Sequence, residues 1–475
     1  MAPRTVLPDS GLPVRAARLA ASVDSLRLNR RHWLVFAVCA AGFLFDGMEI
    51  QLLTLVSPVL QRTWSLSPEQ VGILSSATMV GMLGGACLFG ALSDRLGRRP
   101  GFQLTVALFA TAAGLSALTQ TPTQLIVVRF FVGIGVGGLV PVDTALMAEF
   151  VPAQHRGRML ALWALAFPVG GLIATGLVSV SLPWAGWRGI LALGVLPGAL
   201  VLALRRRVPE TPQFLLARGK VREAERSVQW ISLDQTLPPV PAEAAAAHAD
   251  GEARRTGRTR ALFSRDQWRA TTVAWTLWFC WSFAYFGITL WLPTLLVLKG
   301  MPLGHAVTYG IGFQAAAILG RAALLPFVDR WGRKRLIVAA GLASAAAMAA
   351  FGLSHSPLWL VCTGYALSFC QDGGFSGITP LTPSLYPTGL RATGVGWANA
   401  AGRVAAMLAP LMVGALVAAQ ATTLIFMVFA ACYVCAAAVV LAGSVSAGPA
   451  RPVGLPAAGH GRNAKNVEQN EEMQR

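Results

Sequence analysis

Long apolar stretches alternate with short polar connections along almost the whole chain. A membrane-spanning helix needs about 20 mostly apolar residues to cross roughly 30 Å of hydrocarbon. Twelve stretches are candidates, several interrupted by Gly or Pro, as is common in membrane helices. They cover residues 33–58, 70–92, 101–119, 124–148, 159–181, 188–204, 270–293, 306–327, 335–353, 357–380, 391–416 and 421–444. The pattern predicts an all-α membrane protein with twelve transmembrane helices.

Polar segments divide these stretches into two groups of six. Residues 205–269 separate an N-terminal bundle, 33–204, from a C-terminal bundle, 270–444. We expect this linker to be helical near 209–230, where an amphipathic pattern occurs, and disordered from about 235 to 260. The tails at 1–32 and 445–475 are polar, and we expect disorder in the second.

Composition and charge support this layout. The chain is 55% hydrophobic and 13% charged, whereas soluble domains carry about 25% charged residues. Of the 39 Lys and Arg, 33 fall in the tails and connections of one side and three in those of the other. Because cytoplasmic loops are enriched in Lys and Arg, both termini are predicted to lie in the cytoplasm, at a bacterial inner membrane. The net charge of +18 therefore reflects topology and not nucleic-acid binding.

Two short patterns recur at one spacing. DRLGRR begins at Asp94 and DRWGRK at Asp329, 235 residues later; PAQHRG and PTGLRA place Arg156 and Arg391 at the same spacing. Two patterns that share one offset indicate a duplicated six-helix unit. Parallel repeats with a substrate site between them at mid-membrane are a known transporter architecture.

The motifs resemble those of a known family. GALSDRLGRR (90–99) is similar to the loop signature of the major facilitator superfamily, and FDGMEI (45–50) to the first helix of its aromatic acid/proton symporters. LYPTGLRATGVGWANAAGR (385–403) is similar to the eleventh helix of those symporters and of niacin-type transporters, while PETPQFL (209–215) resembles the sugar-porter-like branches. The resemblance implies two six-helix bundles that alternate access to a central site.

Ionisable residues inside spans are costly and usually face a cavity or a partner. Asp46 and Glu49 share one face of the first span, and Arg129 of the fourth span lies at a similar depth. Two carboxylates this close cannot both be ionised cheaply in a low-dielectric cavity, so they are suited to carry a proton, with Arg129 tuning them. The alternative is a structural ion pair that braces the two helices.

The second half offers candidate substrate ligands. Arg403 lies near mid-membrane and suits a carboxylate, unless backbone carbonyls or Asp372 satisfy it. Arg321 and Asp372 reach similar depths and could form a pair. The seventh span is aromatic, and its face could stack a ring or simply pack against neighbouring helices. The candidate substrate-binding residues are Arg403, Trp278, Trp281, Tyr285, Gln314, Gln371, Asp372 and Asn399.

The repeated loops are predicted to act as cytoplasmic gates. Each supplies an acid and a cluster of cations beside helix ends, where ion pairs can hold the inner side shut and release it. We expect Arg156 and Arg391 to be their partners. The gating set is Asp94, Arg95, Arg98, Arg156, Asp329, Arg330, Arg333 and Arg391.

No motif indicates a cofactor, a metal or an enzyme. The glycine runs GMLGG (81–85) and GIGVGG (133–138) lie in apolar stretches with no preceding strand, which favours close helix packing over nucleotide binding. No His lies deep in a span, and the seven Cys show no zinc or disulfide spacing. A sensor that transports nothing is not excluded by the sequence.

The sequence therefore predicts a monomeric secondary transporter whose partners are a small-molecule substrate, protons and the lipid bilayer. The leading function is proton-coupled import of an aromatic or heteroaromatic carboxylate. The alternatives are a sugar or polyol symporter, favoured by PETPQFL, and a proton-coupled exporter of drugs or metabolites. The fifth span reads LAFPVGGLIATG (165–176) and lacks the fuller Gly-Pro pattern of such exporters.

Overall fold

The computed structural model describes residues 19, 21–196, 198, 207–233, 259–354, 356–387 and 390–443. Within these residues the secondary structure is helical and contains no strand. The segment for which we predict disorder in the linker, and the C-terminal tail, lie outside the described residues.

The first half begins with five long helices. They are α1 (Arg30–Thr63), α2 (Pro68–Leu96), α3 (Arg98–Leu118), α4 (Pro122–Phe150) and α5 (Ala153–Ala192). The linker contributes two short helices, α6 (Pro212–Ala217) and α7 (Val221–Ser232), and a 3-10 turn at Thr259–Phe263. The second half contains α8 (Trp268–Leu298), α9 (Leu303–Leu324), α10 (Phe327–Arg330), α11 (Arg333–Leu353), α12 (Pro357–Ser384), α13 (Arg391–Ala418) and α14 (Thr422–Ala442).

Nine of the described helices are long and apolar enough to cross a membrane. The more polar α9 and α12 are not among them, although both are helical over the predicted spans. The sixth predicted span lies partly outside the described residues. The helical membrane fold is thus confirmed, and the count of twelve stays a prediction.

Three helices begin two or three residues before their apolar stretches, where a polar side chain caps them. α1 begins at Arg30 instead of residue 33, since the Asn29 side chain accepts hydrogen bonds from the backbone of Arg31 and His32. Ser67 and Thr121 cap α2 and α4 in the same way, each followed by Pro at the first helical position.

The connection between the fifth and sixth predicted spans differs from the prediction. The helix continues from Ala153 to Ala192 and turns sharply at Gly186, where φ is 61° and ψ is −178°. Glycine adopts this conformation without the penalty of a Cβ atom. A kink therefore replaces the expected loop.

The internal repeat is visible in the positions of the helices. Pro68, Arg98 and Pro122 begin α2, α3 and α4, and the residues 235 positions later begin α9, α11 and α12. Packing follows the same symmetry: α2 packs on α4 as α9 packs on α12, and α1 on α5 as α8 on α13. The two halves meet where α2 contacts α13, α5 contacts α9 and α1 contacts α8. We call each of these three contacts between the halves a seam. The α2–α13 seam and the α9–α5 seam are equivalent under the repeat.

The glycine runs pack α2 directly against α4. A Cβ atom on Gly85 would lie 2.1 Å from the carbonyl oxygen of Ile134, and one on Gly133 would lie 2.1 Å from that of Thr78. Backbones can approach this closely only where the side chain is a hydrogen atom. The prediction that these runs serve helix packing is confirmed.

We expect Gly85→Ala to destabilise the protein, because the added methyl group would force α2 and α4 apart. Overpacking of this kind costs roughly 1–3 kcal/mol, which a thermal unfolding midpoint in detergent would detect. Gly84→Ala is the matched control, since a Cβ atom there meets nothing within 4 Å. Equal midpoints for the two variants would contradict this account of the packing.

Candidate transport site

A buried ion pair joins α1 to α4. Arg129 donates through Nη1 to the carboxylate of Glu49, and the two side chains are 1% and 2% exposed. Glu49 Oε2 and the Nε and Nη2 atoms of Arg129 have no described hydrogen-bond partner. The structure thus brings together two of the three predicted proton-coupling residues within the first half.

Asp46 lies one helical turn from Glu49, and its Oδ1 has no hydrogen-bond partner among the described residues. The positive charge that attracts it most is that of Arg403 of α13, which acts at longer range without forming an ion pair. Arg403 also approaches the carbonyl oxygen of Met82 in α2, with Nη1 at 3.5 Å. The two predicted acids are therefore divided between two arginines, one from each half of the chain.

The second half contains its own buried acid and base. Arg321 Nε donates to Asp372 at 2.9 Å, so the pair expected from their similar depths is present. Tyr285 donates its hydroxyl to Asp372 at 3.5 Å. Arg321 also reaches across the seam, where its Nη1 donates to the carbonyl of Ala164 in α5 at 2.9 Å.

A small cavity lies between the halves beside this cluster. Its volume is about 30 Å³, which is room for about two waters and far below the roughly 300–1,000 Å³ of typical ligand pockets. Four of the predicted substrate-binding residues line it. The lining is Gln51, Leu55, Tyr285, Ile288, Thr289, Leu292, Pro293, Ala306, Gly310, Phe313, Gln314, Gly364, Leu367, Ser368, Gln371 and Asp372.

The other four predicted substrate-binding residues are not in that lining. Trp278 donates its indole N–H to Thr382 Oγ1 at 2.8 Å, and Trp281 donates to the carbonyl of Gln371 at 3.1 Å. Asn399 bonds its own helix at the carbonyl of Val395, and Arg403 approaches the carbonyl of Met82. Both tryptophans thus tie α8 to α12.

Sequence reasoning overlooked Gln51, which contributes an amide to the cavity from α1. A polar side chain two residues after Glu49 was a signal that could have found it. On the opposite wall, the Gln314 amide lies against α5, because a Cβ atom on Gly171 would be 1.9 Å from its Nε2. The absence of a side chain at Gly171 makes room for that amide at the seam.

The seam between α2 and α13 is tightly closed where α2 begins. A Cβ atom on Gly72 would lie 2.7 Å from the carbonyl oxygen of Pro410, and one on Gly414 would lie 2.7 Å from that of Pro68. Ser76 donates its hydroxyl to the carbonyl of Met407 at 2.9 Å. By the topology predicted from charge, this is the outer end.

The first gating loop is docked on the linker. Arg98 pairs with Asp94 and lies 3.6 Å from Glu149. The backbone N–H groups of Arg98 and Arg99 each donate to the carboxylate of Glu210 at 2.9 Å. A carboxylate at the start of α3 stabilises the positive end of the helix dipole. A further contact joins Arg218 to the carbonyl of Arg95.

The expected partners of the gating loops make other contacts. Arg156 donates to the carbonyl of Val151 and pairs with Asp24 at 3.4 Å, while Arg391 donates to the carbonyl of Tyr386. Each arginine bonds the carbonyl five residues before it, because the chain turns there into a new helix. These two local bonds are equivalent under the repeat.

In the second loop, Arg333 donates to the carbonyl of Pro380 at 3.1 Å, which ties α11 to α12. Arg330 is exposed at the end of α10. The side chain of Asp329 lies outside the described part of the structure. These gate contacts of the two loops join residues of the same half, the linker being counted with the first.

No group of three or more His, Cys, Asp or Glu side chains in the described ranges is arranged to hold a metal ion. The buried polar groups are instead acids paired with arginines, and amides beside a cavity. Such an arrangement can bind and release charge without covalent chemistry.

Comparison with known proteins places these features in a family. The family model described as Major Facilitator Superfamily matches residues 38–410 and 303–465. The chain is 31% identical over 426 residues to the niacin transporter NiaP of Acinetobacter baylyi, covering 89% of this chain and 96% of that one. It is 30% identical over 395 residues to a gallate transporter of Pseudomonas putida, covering 83% and 87%.

A solved structure shows the same fold. The xylose transporter XylE from E. coli, in a partially occluded inward open conformation, superposes with a TM-score of 0.72 at 19% identity. The match covers 86% of this chain and 97% of XylE. The chain therefore belongs to the Major Facilitator Superfamily and is a membrane transporter, not an enzyme.

Proposed function

We propose that this protein is a proton-coupled symporter that imports a small aromatic or heteroaromatic carboxylate. The observation that carries the proposal is the 31% identity to a niacin transporter along 89% of the chain. The gallate transporter points to the same substrate class. In this proposal the protein acts as a monomer in a bacterial inner membrane, with both termini in the cytoplasm.

The buried acids support proton coupling. Asp46 and Glu49 are 1% and 2% exposed, and a carboxylate removed from water is stable as an anion only while a cation faces it. Glu49 has that cation in its own half, whereas Asp46 has no ion pair among the described residues and is attracted at longer range by Arg403 of the other half. Movement between the halves therefore changes the proton affinity of Asp46, which links proton binding to alternating access.

A sugar substrate is the second candidate. PETPQFL, the segment that resembles sugar porters, supplies the Glu210 carboxylate that docks the first gate. That contact concerns the gate and not the substrate cavity, whose lining combines apolar side chains with the amides of Gln51, Gln314 and Gln371. The preference for an aromatic acid over a sugar therefore rests on the relatives and not on the cavity lining.

The test is transport by the purified protein in proteoliposomes. We expect radiolabelled nicotinate or a hydroxybenzoate to accumulate when a pH gradient, acid outside, is applied, and an uncoupler to abolish the accumulation. Competition by hexoses but by none of the aromatic acids would favour the sugar alternative instead. Efflux without uptake would favour an exporter.

We expect Asp46→Asn to abolish proton-driven accumulation and to spare counterflow exchange, since Asn imitates the protonated acid but cannot release a proton. The measurement compares accumulation with counterflow in the same proteoliposomes. Asp266→Asn, which removes an exposed acid, should leave both intact. Unchanged accumulation in Asp46→Asn would show that the coupling proton binds elsewhere.

Variants of the Glu49–Arg129 ion pair test whether the pair only braces α1 and α4 or also takes part in proton coupling. Glu49→Gln leaves a buried cation with its partner removed, and breaking a buried pair in this way costs about 3–5 kcal/mol. The double variant Glu49→Gln with Arg129→Gln should recover most of the thermal stability, because neither charge remains. We expect that stable double variant to have lost proton coupling. Normal coupling in it would mean that the pair is only a brace.

A further inference from the structure

Arg321 is not itself part of the cavity lining, but it is bonded to Asp372, which is. Asp372 lines the cavity and accepts from Arg321 Nε at 2.9 Å, so the guanidinium is directly behind that carboxylate. Arg321 is two helical turns along α9 from Gln314, which also lines the cavity. Its side chain is 13% exposed, against 2% for Asp372.

The terminal nitrogens of Arg321 occupy the seam between the halves. Only Nε is bound to Asp372, whereas Nη1 donates to the carbonyl of Ala164 in α5. A guanidinium has five N–H donors in a flat fork that matches a carboxylate in two parallel hydrogen bonds. A backbone carbonyl is a neutral, single acceptor and is the weaker partner for that edge.

We propose that the terminal edge of Arg321 binds the carboxylate of the substrate, which takes the place of the Ala164 carbonyl. The assignment rests on the proposed function and names the residue that recognises its anionic group. It differs from the expectation drawn from sequence, in which Arg403 has this role.

The surroundings of Arg321 and Arg403 indicate which of the two binds the substrate carboxylate. Neither arginine is part of the cavity lining, but Arg321 is bonded to Asp372, which is, whereas the described hydrogen bond of Arg403 goes to the carbonyl of Met82. A substrate carboxylate at Arg403 would have to compete with the acid that we assign to the proton. Arg321 has its acid on Nε, the Phe375 ring centroid 5.3 Å from its Cζ and the carbonyl of Ala164 at Nη1, so an anion can replace that carbonyl without removing Asp372.

Charge balance then connects this site to the proton site. Arg321 and Asp372 together are neutral, so a bound carboxylate adds one uncompensated negative charge to the membrane interior. A proton taken up at Asp46 or Glu49 returns the total to its former value. When the substrate carboxylate replaces the Ala164 carbonyl at Nη1, the hydrogen bond between α9 and α5 is lost. Substrate binding therefore loosens the α9–α5 seam, which must move during alternating access.

The test compares an acid with its neutral amide on the full-length protein in detergent. Nicotinate and nicotinamide share a ring and differ in charge, and their dissociation constants can be measured by calorimetry. We expect Arg321→Gln to weaken nicotinate binding by about tenfold or more and nicotinamide binding by no more than about twofold, because only the acid uses the charged fork. Arg335→Gln, which removes an exposed positive charge, should change neither.

Each other outcome has a definite meaning. Equal losses for the acid and the amide would show a structural role for Arg321 and overturn the assignment, as would unchanged binding of both. Loss of nicotinate binding in Arg403→Gln but not in Arg321→Gln would restore the assignment to Arg403. If Arg321→Gln does not fold, Arg321→Lys keeps the charge without the fork and should give a smaller loss confined to the acid.

If the unaltered protein binds neither compound nor any other aromatic acid, the proposed function fails, and the assignment of Arg321 fails with it. If it binds nicotinate and only the variant result is negative, the proposed function stands.

Discussion

A charge far from water is tolerated only beside its opposite, and this constraint fixes which helices of the protein touch. Taking an ion out of water costs several kcal/mol even after relaxation. Arg129 meets Glu49 and Arg321 meets Asp372 in ion pairs that join α1 to α4 and α9 to α12. Asp46 is the exception: Arg403 of α13 attracts it at longer range, and its Oδ1 has no hydrogen-bond partner among the described residues.

The three partnerships are not equivalent. Two lie within one half of the chain and can persist while the halves move as rigid bodies. The third, between Asp46 and Arg403, crosses from one half to the other and must change in any rotation of the halves. Protonation of Asp46 removes the charge that attracts Arg403, so the seam is weakest when the acid is neutral.

The two arginines of the second half mark equivalent seams. Arg321 donates to the carbonyl of Ala164 where α9 meets α5, and Arg403 approaches the carbonyl of Met82 where α13 meets α2. These are the seams related by the 235-residue repeat. The charge of the substrate at the α9–α5 seam and the charge of the proton near the α13–α2 seam would then act on symmetry-related parts of the interface between the halves.

Sequence reasoning was most reliable for features that are determined by residues close together in the chain. The spans predicted at 101–119 and 335–353 correspond to helices that begin at Arg98 and Arg333, directly after the duplicated loops, so the repeat located both helices to within three residues. The packing of the glycine runs was also predictable, since a run without side chains in an apolar helix has few other uses. The superfamily, inferred from loop motifs, is confirmed by the comparisons.

Pairing across space was less predictable, because residue depth does not determine the direction in which a side chain points. We expect Arg129 to tune both acids, but Asp46 is attracted most by Arg403, which is 357 residues away in the chain. Trp281 was placed on a substrate face by its spacing, whereas its indole N–H is bonded to α12. Whether Trp281 faces the substrate or α12 depends on how α8 is rotated about its axis. Tertiary packing fixes that rotation, and the spacing of residues in the sequence does not.

The size of the cavity connects the charges to the transport cycle. A space of about 30 Å³ cannot hold an aromatic ring, so this conformation must widen before a substrate is bound. The contacts of Gly72 and Gly414 close one end of the α2–α13 seam with backbone on backbone. At the gating loops, the described hydrogen bonds of Arg98 and Arg333 stay within one half, the linker being counted with the first, so these bonds can persist when the halves separate there. In the proposed import cycle, opening on the gate side releases the substrate to the cytoplasm, and the Nη1 atom of Arg321 then returns to the carbonyl of Ala164.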